Sequence, residues 1–330
     1  MGQSLSAMRR AARFVQHQEY LEMQLPFILG DWRYVVPGLG SDTGRTGKAL
    51  SRPLASVNAA YDKTVDGRGD GIAVISYGTT SAHTTTYLTE PLDWAKYNIT
   101  MIGIAAGGYG GRARISNTAA DLAYLIDFQG QNNRVININM SNYGSGAAAL
   151  GSLKVSGARN RFDYVNAVGA GHITPGAVAH AAGGSLGAHD LNLAASECHF
   201  NHCIFGTRSV LRAEANANIV LSAQMGQNFF EDCYTFLYTN TATQGAIAIH
   251  AANVLGGWVI FKDCTFTAWY QGVNPSVHTS MVIGAVPDNC GILLQNPAMI
   301  GWASYETGAD KVFVTNGAGL ATGGLGIKTA

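Results

Sequence analysis

The chain has 330 residues, a formal net charge of zero and 13% charged residues, about half of the roughly 25% usual in globular chains. Zero net charge argues against wholesale nucleic-acid binding through phosphates, which needs a basic excess. With 47% hydrophobic residues, well dispersed and never in a run of roughly 18, the chain is expected neither to be disordered nor to carry a transmembrane helix.

Residues 1–24 differ from the rest. Ser4 or Ser6 caps a predicted helix reaching about Met23, with Leu5, Met8, Ala12 and Val15 near one face and Arg9, Arg10 and Arg13 beside it. This helix either caps the end of the fold or is an arm that docks on another protein, with Met8, Arg9, Arg10, Arg13, Phe14 and Val15 as the partner-binding residues. No apolar h-region is present, so no secretory signal is expected, and no membrane partner either.

Residues 25–50 read as linker and cap, with Pro26, Gly30 and the Pro37-Gly38-Leu39-Gly40 turn. Pro53 then opens a short helix on which Leu54, Val57, Ala60 and Tyr61 recur at helical spacing. Arg68-Gly69-Asp70 matches the integrin-binding tripeptide, but its place in a glycine-rich turn reads as local turn chemistry.

Strands follow at Ile72–Tyr77, Tyr87–Leu88, Ile99–Gly103, Leu122–Phe128, Val135–Met140, Leu153–Ser156 and Arg161–Val165. Residues 169–188 are rich in Gly, Ala and His without periodicity and read as a long loop. Leu191–Leu193, Ile219–Leu221, Ala246–Ile249 and Trp258–Phe261 continue the strand pattern.

Three stretches between 199 and 266 are alike: His199–Phe205, Phe230–Phe236 and Phe261–Phe266, each an aromatic, two polar residues, a cysteine and a second aromatic. Their cysteines, Cys203, Cys233 and Cys264, recur at roughly 30-residue intervals, the mark of a repeat architecture built here from short strands. Cys198 and Cys290 bring the count to five, and one thiol per coil reads as a buried reduced stack rather than a disulfide framework. Strand alternation sets Cys198 and Cys203 on opposite faces, against a zinc site, and neither a metal nor a cofactor is expected.

A Gly-rich start with an Asp, a short helix, then Gly69-Asp70-Gly71-Ile72-Ala73-Val74-Ile75-Ser76, a Tyr-Leu strand and Asn98-Ile99-Thr100-Met101-Ile102-Gly103 resembles the opening of right-handed parallel β-helix proteins of the pectin-lyase-like superfold. The resemblance spans roughly residues 40–300 and implies an all-β solenoid with an N-terminal α-helical arm and roughly eight or nine coils. The expected organisation is an arm and linker at 1–39, the β-helix at 40–300, and a last strand with a Gly-rich tail at 301–330 that either hangs loosely or crosses to a neighbouring subunit.

Members of the superfold include polysaccharide lyases, glycoside hydrolases and phage tailspikes, so fold alone does not give function. The constellations of its enzymes are missing here: there is no Asp-Asp pair, Gly171-His172-Ile173 lacks a second Gly, and no Arg-x-Lys occurs. The one enzyme-like column is His202, Asp232 and Asp263, which share a register just before the three cysteines and sit about 4.8 Å apart from coil to coil. Such a spacing also suits a solvated ladder, and the five histidines His172, His180, His189, His199 and His202 read as loop and surface residues.

The expectation is therefore a structural virion protein of a bacteriophage, more like a head spike, capsid decoration or tailspike than an enzyme. It would form homotrimers in the virion, dock its arm on a capsid or tail protein and bind host glycans through Trp258, Trp269, Tyr270 and Trp302. The alternative is a polysaccharide lyase or glycoside hydrolase acting on bacterial surface polysaccharide through Asp232 and Asp263, with His202 beside them.

Overall fold

The computed structural model describes residues 28–330 apart from 80–81, 106–111, 118–120, 145–147, 170–187, 210–216, 224–225, 240–243, 251–255, 271–277, 285, 288, 307–310, 316–325 and 328–330. The predicted helical arm with Met8, Arg9, Arg10, Arg13, Phe14 and Val15, and nearly all of the loop predicted at 169–188, lie outside the described residues.

Short apolar–polar alternations, each cut by a residue of positive φ, turn the chain into coils. The strands assemble into three long sheets of eleven, eight and eight members. The first sheet begins with Trp32–Val35, Gly71–Ser76, Thr100–Ala105 and Arg134–Ile136, continues through His199–Asn201 and Asn228–Glu231, and ends at Val312–Thr315 and Gly326–Ile327. The second runs from Thr85–Leu88 to Ala298–Ile300 and the third from Leu92–Trp94 to Trp302–Glu306. Each coil visits the first, second and third sheets in turn, and every ladder between coils is parallel. The antiparallel pairs are the small hairpin of Gly78–Thr79 with Ala82–His83 and the final pairing of Val312–Thr315 with Gly326–Ile327, which holds that piece of the tail on its own chain.

Several strands predicted as continuous are broken by corners. Asn137 (φ 55°) splits the predicted Val135–Met140 strand into Arg134–Ile136 of the first sheet and Ile138–Ser141 of the second. Tyr164 (φ 57°) does the same to Arg161–Val165, and His202 (φ 51°), Asp232 (φ 50°), Asp263 (φ 53°) and Asn296 (φ 49°) repeat the corner in later coils. A single left-handed residue redirects the chain without a loop, and Asn and Asp tolerate that conformation best among side-chain-bearing residues. Periodicity alone does not reveal it, because apolar residues continue on both sides.

The corner also resets which way side chains point. Cys198 and Cys203, placed on opposite faces by simple alternation, are both buried inside the coil. Cys203, Cys233 and Cys264 follow their corners directly and donate from Sγ to the carbonyls of Phe162, Phe200 and Phe230 at 3.3–3.5 Å. All five cysteines are free and buried. Beside them Phe162, Phe200, Phe230 and Phe261 stack along the axis with centroids 4.9, 4.5 and 4.4 Å apart and nearly parallel rings. Such pairs contribute about 0.5–1.5 kcal/mol each beyond area burial.

A second corner leads from the third sheet back to the first and is followed by a buried asparagine ladder. Asn133 N–H donates to Asn160 Oδ1 and Cys198 N–H to Asn228 Oδ1, both at 2.9 Å. Asn160 and Asn228 in turn donate from Nδ2 to corner carbonyls. Buried amides left without partners would cost about 1–3 kcal/mol each, so the ladder fixes the stacking of the coils.

At the N-terminal end the predicted helix forms at Val57–Asp62, capped by Ser56, whose Oγ accepts from Ala59 N–H at 3.2 Å. The coil stack starts earlier than residue 40, since Trp32–Val35 pairs in register with Gly71–Val74. Asp70 is fully buried and accepts from the backbone N–H groups of Asp31 and Val65 and from the Arg68 guanidinium. The Arg-Gly-Asp tripeptide is thus a closed turn joining the first two coils.

Candidate functional site

The column His202, Asp232 and Asp263 lies on the corner between the first and second sheets. A left-handed residue at a tight corner projects its side chain outward, so the column is a row of polar groups one coil apart. His202 Nε2 lies 3.7 Å from Asp232 Oδ2, and its Nδ1 is 2.7 Å from Asn201 Oδ1. Asp263 Oδ1 accepts from Asn296 Nδ2 at 2.8 Å, and the His202 ring stacks on Tyr164 with centroids 4.9 Å apart. The structure therefore joins the three predicted residues and extends the column at both ends, to Tyr164 and Asn296.

On the first-sheet side of the corner stand Glu231 and Lys262, paired through Lys262 Nζ and Glu231 Oε1, with His199 Nε2 3.8 Å from Glu231 Oε2. The Lys262 hydrogen bond holds the Glu231 carboxyl below its usual range, and burial with the nearby Arg161 charge holds the His199 imidazole below its own. Lys262 thus neutralises Glu231, the acid next to Asp232 in sequence.

On the second-sheet side, the strands leaving the two aspartates are Tyr234–Thr239 and Thr265–Tyr270. They pair in register from Tyr234 with Thr265 to Thr239 with Tyr270. Their outer faces form an apolar groove of about 220 Å³ walled by Phe236, Tyr238, Trp269 and Ile300, with Arg208 4.4 Å from the Phe236 ring centroid. Trp269 is 66% exposed and Tyr234 45%. Of the aromatics predicted to meet glycans, Trp258 and Trp269 are exposed, and the side chain of Tyr270 lies outside the described residues. Trp302 is buried and donates from Nε1 to Phe266 O at 3.2 Å, because its strand turns that ring into the core.

His172 and His180 lie outside the described residues. His189, predicted as a loop or surface residue, is fully buried. Its Nε2 meets Tyr124 Oη at 3.1 Å across Gly151, where a Cβ would stand 3.0 Å from the Tyr124 ring and 3.1 Å from His189 Nε2. Asn192 Nδ2 donates to the same Oη at 2.9 Å, and burial pushes the Tyr124 phenol up to about 12. Lys154 pairs with Asp127 at 2.7 Å alongside. This network on the third sheet was invisible in the sequence, because its members lie up to 68 residues apart. Among the described residues no group of three or more His, Cys, Asp or Glu could hold a metal ion, and no helix is long and apolar enough to cross a membrane.

No protein-family model matches the chain, and no curated protein matches it. Solved structures do. The chain is similar to a pectin methylesterase from Aspergillus niger at 16% identity and a TM-score of 0.45, covering 86% of this chain and 83% of that one. A deglycosylated form of the A. niger enzyme gives 12% and 0.42 over 84% of this chain and 86% of that one. A pectin methylesterase variant in complex with a hexasaccharide gives 11% and 0.45 over 84% and 94%. The expectation of a phage structural protein that is not an enzyme is corrected here: the solved structures the chain is similar to are enzymes, and none is a virion component. The three parallel sheets and their order establish the architecture: this chain is a parallel β-helix, as the resemblance of its opening residues implies.

Proposed function

We propose that the chain is a polysaccharide-modifying enzyme that hydrolyses glycosidic bonds, with Asp232 and Asp263 as its pair of carboxylates. The observation that carries this reading is that two strands in register bear both the carboxylates and an aromatic groove. From Asp232 to Phe236 the chain advances four residues, about 13 Å of strand, so a bound glycan spans both features as an oligosaccharide.

Glycoside hydrolysis needs one carboxyl group to protonate the leaving oxygen and another to attack the anomeric carbon or to activate water. Carboxylates on adjacent coils start about 4.8 Å apart at the backbone, which suits the roughly 5–5.5 Å of the retaining geometry. Asp232, beside His202, is the nucleophile in this scheme, and Asp263, held by Asn296, is the acid and then the base that activates water. Trp269 offers its exposed ring face to the sugar, while Arg208 covers the outer face of Phe236.

The test is release of reducing ends from purified bacterial surface polysaccharides by the full chain. Activity that is lost in both Asp232→Asn and Asp263→Asn supports the reading. Full activity in either variant removes that residue from the chemistry.

A further inference from the structure

A second groove lies on the outer face of the second sheet, toward its N-terminal end and away from the aspartate corner. It encloses about 420 Å³ between Tyr87 and Tyr143, over a floor of Thr85, Arg114, Ser116 and Asn139. Its floor is set by register. Thr85, Arg114 and Asn139 stand in one line across three coils, and Tyr87, Ser116 and Ser141 in the next.

Three properties of this groove point to a ligand. First, Arg114 uses its backbone N–H on Ser76 Oγ, at 3.3 Å, while its guanidinium has no ion pair among the described residues. Among the described residues no Asp or Glu lines the groove, so none of them compensates the cation there. Second, the polar floor is pre-ordered. Ser116 Oγ donates to Ser141 O and Ser141 Oγ to Asn139 Oδ1, each at 2.7 Å, which commits the Asn139 carbonyl and leaves its amide as a donor. The Tyr143 edge is fixed by its backbone N–H donating to Asn117 Oδ1 at 2.7 Å. Third, Tyr87 and Tyr143 are 57% and 50% exposed, so two aromatic faces flank the polar floor.

We infer that this groove binds a sugar unit carrying one anionic substituent, a carboxylate or a sulfate. The planar guanidinium suits such a group through paired N–H donors. The tyrosine faces suit the ring, and the Asn139 amide and the serine oxygens suit its hydroxyls. The inference does not require the aspartate pair to be catalytic. It adds a site that holds an acidic glycan away from the aspartate corner.

The experiment titrates the full chain with methyl glucuronide, methyl glucoside 6-sulfate and uncharged methyl glucoside, followed by saturation-transfer NMR and calorimetry. Binding of one or both anionic sugars, with the neutral one at least tenfold weaker, is the expected result; which of the two binds identifies the substituent. Affinity should fall with added salt, as for an exposed charge pair. Arg114→Ala should reduce it at least tenfold and Tyr143→Ala by a smaller factor, with unfolding midpoints unchanged in both. Asp232→Asn should leave it unaltered, so loss of hydrolysis and loss of this binding are separate outcomes. Equal binding of all three sugars, no binding of any, or unchanged affinity in Arg114→Ala would overturn the inference.

Discussion

Asp232 and Asp263 occupy the same left-handed corner on successive coils, at φ 50° and 53°, and the strands that leave them pair residue for residue as far as Thr239 and Tyr270. One geometric device, a single-residue corner, therefore places both carboxylates and aligns the aromatic groove behind them. The remaining corner positions among the described residues hold Asn137, Tyr164, His202 and Asn296, so two acids follow one another at no other described corner.

If a glycan spans the groove and the corner, removal of the groove wall should weaken binding more than chemistry. Trp269→Ala is expected to raise KM about tenfold, corresponding to about 1.4 kcal/mol, with kcat changed less than threefold. Steady-state kinetics on an oligosaccharide series measures this. An unchanged KM would detach the groove from the substrate path.

Cys198 stands in the asparagine ladder between Asn160 and Asn228, with its backbone N–H on Asn228 Oδ1 and the backbone N–H of Asn160 directed at its sulfur. A sulfur accepts more weakly than an amide oxygen. Cys198→Asn is therefore expected to stabilise the fold by about 1 kcal/mol by giving the Asn160 N–H an oxygen. Urea unfolding monitored by circular dichroism tests this, and a destabilised variant would show that the site cannot take the larger amide.

Burial raises the Cys198 thiol pKa to about 11 and lifts the Cys233 thiol well above its ordinary range, where the neighbouring thiols Cys203 and Cys264 add to the effect. The reactive species is the thiolate. Folded protein at pH 8 should leave the thiols largely unlabelled by a disulfide reagent over minutes, whereas denatured protein should show all five. Rapid labelling of the folded chain would contradict a closed thiol column.

Burial drives the Asp70 carboxyl pKa up, but the Arg68 hydrogen bond and the Val65 and Asp31 N–H groups outweigh this and leave it below the usual range. The unfolded state then binds the proton more readily, so the contribution of Asp70 is complete above about pH 4 and disappears as pH falls through the lower folded value. Asp70→Ala is expected to cost about 1–3 kcal/mol at neutral pH, because the Asp31 and Val65 N–H groups lose their acceptor. The deficit relative to the parent chain should shrink in acid. Urea unfolding at several pH values measures it, and a constant deficit would mean that the carboxylate charge contributes nothing.

The repeat of aromatic, polar pair and cysteine disclosed the coil, because one inward Phe and one inward Cys per coil leave a period in the sequence. The register of His202, Asp232 and Asp263 was legible for the same reason. The corners themselves were not, since Asn137 and Tyr164 interrupt strands without a glycine, a proline or any change in apolar content. Nor was the Arg114 groove or the Tyr124–His189 contact, because each joins residues from separate coils that have no local signature. Trp302 shows the limit of reading exposure from alternation, as one bend after Ile300 turns it inward.

Reducing-end release by the full chain and by Asp232→Asn, on one polysaccharide that the full chain cleaves, decides whether the aspartate pair performs hydrolysis. The parent chain should release reducing ends, and the variant at least a thousandfold fewer at an unchanged unfolding midpoint. Release by the variant at the parent rate would contradict hydrolysis by the pair.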